Sequence, residues 1–125
     1  KSRKVIARVH HKIPQKLGAK ASRSHGLAVR PDGKEIWSCN VEHGIVHVHD
    51  ITSDKFPEIA TLTMIERVYW LCFSPDSRFA YISVRGANKI CVVDARSKKI
   101  LKHIVVGDTP KRSLVIVLPE ATAAP

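Results

Sequence analysis

The sequence is poor in the residues that usually announce chemistry. Only three of its 125 residues are cysteine, Cys39, Cys72 and Cys91, and no two have C-x-x-C spacing. Spread along the chain, they read as small buried hydrophobes. Their odd number leans toward a reducing compartment. No G-x-G-x-x-G, Walker loop, G-x-S-x-G or H-E-x-x-H is present, which removes the common dinucleotide, nucleotide, hydrolase and metalloprotease signatures. No C-x-x-C-H stands anywhere, so a c-type haem attachment is missing from these residues. No apolar run approaches the roughly 18–20 residues of a membrane-spanning helix. No stretch carries sustained helical periodicity.

Acidic residues are absent from one region in particular. Residues 1–25 hold eight Lys/Arg and no Asp or Glu. The other hundred hold thirteen basic and eleven acidic groups, an excess of two. The net charge of +10 therefore belongs to the first stretch and the body is nearly neutral. Such a run can meet phosphate or an anionic surface. It lacks the interleaved aromatics of a stacking platform for single-stranded nucleic acid, which argues against a nucleic-acid partner. A solvated, lengthened loop is the simpler reading.

What the chain does have is a repeat. Residues 69–84, YWLCFSPDSRFAYISV, read as apolar run, Pro-Asp turn, apolar run: a β-hairpin. Shifted by 44, the sequence matches itself. Arg30-Pro31-Asp32-Gly33 falls on Ser74-Pro75-Asp76-Ser77, and Pro119-Glu120 follows one period later. Leu27 falls on Leu71, Trp37 on Tyr81, Val46 on Ile90, Val48 on Val92 and Asp50 on Asp94. Carboxylates that recur with the period (Asp32, Asp76, Asp50, Asp94) read as turn and strand-exit residues. A period of about 40–45 residues with four short strands per unit is the mark of a β-propeller blade.

The expected strands are 26–30, 35–41, 45–51 and 59–65, then 69–74, 79–84, 89–94 and 100–106. Single strands are expected at 3–9 and 113–118. Within 54–64, Pro57 argues for the start of a strand over a helix. The fold class is all-β, a partial propeller of about two four-stranded antiparallel blades. The divisions are 1–24 (strand and basic loop), 25–68 and 69–112 (blades), and 113–125 (closing strand and tail).

Propellers close rings of about 4–8 blades, so two blades leave apolar faces uncovered. The expected partners are further blades or other chains that complete the ring. The first residue is Lys1, not Met, and the expectation is a C-terminal piece of a longer protein.

The stretches HGLAVRPDGKEIWSCN and LCFSPDSRFAYISVRGANKICVVDARSKKILKHIVVGDTPKRSLVIVLP resemble the YVTN repeats of bacterial YncE-like propeller proteins. These are similar in fold to the haem d1 domain of cytochrome cd1 nitrite reductase. Tyr81-Ile82-Ser83-Val84 and Trp37-Ser38-Cys39-Asn40 stand where the family has Tyr-Val-Thr-Asn. The resemblance covers about residues 25–119. It implies blade packing more than chemistry, and a periplasmic or other extracytoplasmic location.

Equal phase in a propeller means equal height around the axis. Arg23, Arg67 and Lys111 share one phase, with Arg112 beside the last, and each precedes an innermost strand. Two residues on, His25, Tyr69 and Ser113 share another. The expectation is a partial ring of cations over hydrogen-bonding side chains at the channel mouth, suited to an anionic small molecule or peptide. His25 adds an imidazole that titrates near neutrality. His47 and His49 share a strand face, with His43 nearby, but the positions 44 residues on are Cys91 and Val93. A polar seam is expected there, and no metal site. His10, His11 and His103 show no ligand spacing.

Three functions fit. The first is a non-enzymatic binding or interaction module, with no catalytic residues and no cofactor evident. The second is a redox or cofactor-handling protein of the haem d1 type. The third is anionic-surface or nucleic-acid binding through residues 1–25.

Overall fold

The computed structural model of the chain describes residues 3–11, 24–64 and 66–118. Eight six-residue strands make two four-stranded antiparallel sheets. The first holds β1 (Ser24–Val29), β2 (Glu35–Asn40), β3 (Ile45–Asp50) and β4 (Glu58–Thr63); the second holds β5 (Val68–Phe73), β6 (Phe79–Val84), β7 (Lys89–Asp94) and β8 (Ile100–Val105). Both run in simple sequence order, as the blades of a propeller do. Among the described residues no helix is long and apolar enough to cross a membrane.

The hairpin turns form as their residues dictate. Gly33 donates its backbone N–H to the Arg30 carbonyl at 2.8 Å, and Ser77 does the same to Ser74 at 2.9 Å. Both take a positive φ, +73° and +63°, the first cheap for glycine and the second a strain on serine. Asp32 Oδ1 accepts from the Lys34 N–H and Asp76 Oδ1 from the Arg78 N–H, each at 3.1 Å. Asp50 caps the Thr52 N–H at 2.7 Å, and Asp94 the Ser97 N–H at 2.7 Å. These carboxylates are turn residues.

The first three strands of each sheet repeat at 44 residues, but β4 and β8 are 42 apart. The cause is the linker before them, residues 51–57 in one blade and 95–99 in the other. Innermost strands β1 and β5 carry an irregularity at the same place, Ser24/Leu27 and Val68/Trp70.

Side chains alternate across each sheet, and the register sorts them into faces. Trp37, Cys39, Val46, Val48 and Leu62 share the forward face of the first sheet. Leu71, Phe73, Ala80, Ile82, Cys91 and Val93 share the rear face of the second. The two faces form one buried core. Trp37 meets Phe73 edge to face, ring centroids 5.2 Å apart at 84°. Near the axis the innermost strands almost touch: a Cβ on Gly26 would lie 2.6 Å from Trp70 Cα. Only glycine permits that approach.

A polar cluster closes the rim of this core. Trp37 Nε1 donates to Glu35 Oε2 at 2.8 Å, and Lys98 Nζ, from the β7–β8 turn, reaches both Glu35 oxygens at 2.8 Å. Arg30 Nη1 lies 2.9 Å from Glu35 Oε1 and donates to the Ala95 carbonyl at 3.3 Å.

The expected strands at 3–9 and 113–118 are not formed; both stretches lack secondary structure. A strand needs a ladder partner, and neither stretch has one among the described residues. Pro119-Glu120, the third echo of the turn, lies outside the described residues.

Replacing Trp37 by Ala is expected to cost about 3–5 kcal/mol of unfolding free energy, measured by urea denaturation. A loss below about 1 kcal/mol would show that the two sheets do not depend on each other.

Candidate functional site

The candidate mouth is built where the connection before β5 meets the β6–β7 connection, a 3-10 turn at Arg85–Ala87. The Gly86 N–H donates to the Arg67 carbonyl at 3.3 Å, joining the two segments. On the axis side, β1 and β5 bring His25 and Tyr69 together, 44 residues apart. The Tyr69 hydroxyl lies 2.8 Å from His25 Nε2, and the rings stack with centroids 4.1 Å apart. Arg85 places its guanidinium 5.8 Å from the centroid of the Tyr69 ring.

The other expected site residues disperse. Arg67 is largely exposed, with Nη2 at 3.8 Å from Glu42 Oε2. Arg112 stacks over Trp70 at 5.1 Å, not toward Tyr69. Lys111 is exposed. Ser113 bonds Cys72, Oγ to Sγ at 3.3 Å, and not the His25–Tyr69 pair. Arg23 lies outside the described residues. Acidic groups temper the mouth: besides Glu42, Glu66 sits 3.9 Å from Lys89 Nζ. Periodicity did not reveal Arg85, because its counterpart 44 residues earlier is Val41.

The histidines form a separate cluster on the rear face of the first sheet. His47 Nδ1 donates to Glu58 Oε1 at 3.1 Å, and His49 Nδ1 to the Phe56 carbonyl at 3.0 Å. His43 Nδ1 donates to Asn40 Oδ1 at 3.0 Å. The Nε2 atoms of all three are buried, with no partner among the described residues. These contacts make a polar seam on that face. Among the described residues no group of His, Cys, Asp and Glu is arranged to hold a metal.

His11, which the sequence left unassigned, joins this seam. Its ring stacks on His47 with centroids 3.8 Å apart and lies 5.3 Å from His49. Its Nε2 is 3.4 Å from Ser38 Oγ. Burial, then the neighbouring His47 and His49, push the His11 imidazole down to about 4, with Glu58 pulling weakly the other way.

No known protein family matches the chain, and no curated protein sequence matches it. Solved structures do. Hydrazine synthase from Kuenenia stuttgartiensis superposes with a TM-score of 0.65 at 21% identity, over 79% of this chain and 28% of that one. U3-55K superposes with a TM-score of 0.61 at 18% identity, over 70% and 28%. The dihydro-haem d1 dehydrogenase NirN, in complex with DHE, gives 0.59 at 21% identity, over 68% and 18%. The likeness is of fold, that of partial β-propeller blades. This chain spans less than a third of each of those proteins.

The depressed His11 value fixes a pH dependence. Its folded value lies below the ordinary 6.5, so the unfolded chain binds the extra proton first and stability falls as pH falls. The contribution is whole above about 6.5 and is lost toward pH 4. Thermal melts of His11→Asn should have a flatter profile across that window than the parent. Parallel profiles would place His11 in solvent.

Proposed function

We propose that the chain is a sector of a YVTN-type, YncE-like β-propeller that serves as a non-enzymatic binding module, taking an anionic ligand at its channel mouth. The observation that carries this reading is the stacked, hydrogen-bonded His25–Tyr69 pair, contributed by successive innermost strands, with the Arg85 guanidinium over the Tyr69 ring and exposed Arg67 on the connection that leads into β5. The pair offers an exposed imidazole and a half-buried phenol ring. The two guanidiniums raise the local potential, and both carry bidentate donor forks that suit carboxylates. Glu42 lowers that potential, so affinity rests on geometry as well as charge. The ring is completed by further blades, which supply more of the same phase. The family resemblance supports an extracytoplasmic location.

A second reading has one observation in its favour. The fold likeness to NirN, described in complex with DHE, supports a cofactor-handling propeller of the haem d1 type. Carboxylates on a macrocycle would meet the same cations. Visible absorbance of the purified protein separates this reading from the first.

Isothermal titration with citrate at low salt tests the anion site. Arg67→Ala, Arg85→Ala and Lys111→Ala are each expected to weaken binding roughly ten-fold, since one charge-assisted contact contributes about 1.5–3 kcal/mol and solvent screens part of it. Unchanged affinity in all three variants removes the reading.

A further inference from the structure

We propose that the chain binds further copies of itself head to tail, the forward face of the second sheet of one copy seating on the rear face of the first sheet of the next. The proposal rests on the propeller reading above and names the partner that completes the ring.

A cavity of about 390 Å³ lies over the rear face of the first sheet, lined on the sheet side by Leu27, Ile36, Ser38, His49 and Ile51 and on the other by Ile6, Ala7, Val9 and His11. Advance each by one period and the residues are Leu71, Ala80, Ile82, Val93 and Ala95, all buried where the two sheets meet. The cavity is therefore the same seat, filled by a sheet in one blade and covered only by residues 3–11, with space left between, in the other. Leu27 and Val29 remain 59% and 51% exposed on it.

The open seat differs in chemistry. Ser38, His47 and His49 stand where the filled seat has Ile82, Cys91 and Val93. With Nδ1 of His47 and His49 already donating, their Nε2 atoms are acceptors, buried and without a partner among the described residues. An occupant must bring donors.

The chain carries such a surface. The forward face of the second sheet carries Trp70, Cys72, Tyr81, Ser83, Ile90 and Val92, with Arg112 over the Trp70 ring and Ser113 bonded to Cys72, so these two residues are displaced when a copy docks. These include the period counterparts of the residues that fill the existing seat: Tyr81 for Trp37, Ser83 for Cys39, Ile90 for Val46, Val92 for Val48. Two hydroxyls replace an indole and a thiol. Ser83 Oγ is itself buried, with no partner among the described residues. The Ser83 hydroxyl, unpartnered among the described residues, thus offers a donor to the imidazole acceptors of the other face, and Tyr81 adds a second hydroxyl.

Such a contact is heterologous, so it closes into a ring or runs on. A ring of about 4–8 blades needs about two to four two-bladed copies. Residues 3–11 lie over the seat through the His11 stack, without a strand ladder, and are displaced when a copy docks.

Sedimentation velocity of the whole chain, from about 1 to 100 µM, tests this. The expected result is a concentration-dependent species of about two to four copies. Leu27→Arg blocks one face and Ile90→Arg the other. Each variant alone should sediment as the 13.9 kDa chain, and an equimolar mixture should give a one-to-one pair and nothing larger. Val29→Arg with Tyr81→Arg is the second pair, used if circular dichroism shows that either of the first fails to fold. A monomer at the highest concentration, association unmoved by any of these changes, or a mixture that does not pair would each overturn the proposal. The citrate titration is read separately: a monomer that still binds citrate refutes self-association and leaves the mouth reading standing.

Discussion

The contact between the forward face of one blade and the rear face of the next governs this molecule. Each sheet has an apolar face that neither water nor its own strands can satisfy. Trp37 supplies the largest piece of that contact, fully buried against the edge-on ring of Phe73. Its indole N–H must also be met, because an unpaired buried donor is costly. Glu35 meets it, and the carboxylate is neutralised from both blades, by Arg30 of its own and by Lys98 of the neighbour. Lys98 also lies 5.1 Å from the Trp37 ring centroid, adding a cation–π contact. Apolar burial drives the two sheets together. The charged rim fixes how they sit.

Everything nearer the axis follows from that docking. Because the blades meet face to face, β1 and β5 run side by side, and Gly26 lets their backbones close up. His25 and Tyr69 then meet although 44 residues separate them. The arrangement that buries the core thus also builds the mouth. The residues that give the mouth its charge sit on the connections, where they are free to vary without cost to the core.

The period made the first three strands of each blade legible, and the Asp turns with them, because identical local physics recurs at identical spacing. It also made the His25–Tyr69 pair legible, since residues of equal phase are neighbours around an axis. It failed where partners differ in phase. Glu35 and Lys98 lie 63 apart and join a strand start to a hairpin turn; comparison of like with like cannot find them. Arg112 turned to Trp70, and Arg67 to Glu42, for the same reason. The outer strands slipped by two residues because linker length is not under the constraint that binds the strands. His11 belongs to no blade, so nothing in the repeat foretold its place on His47.

Two thiols report on the central contact directly. Cys39 looks out from the first sheet and Cys91 from the second, and both are fully buried in the core they share. Burial pushes the Cys39 thiol up to about 12 and raises that of Cys91, which suppresses the reactive thiolate. Alkylation of the native chain followed by peptide mass spectrometry should find Cys39 and Cys91 unmodified until denaturant unfolds the protein. Modification of either at the rate of the denatured chain, under native conditions, would mean that the blades do not pack as described.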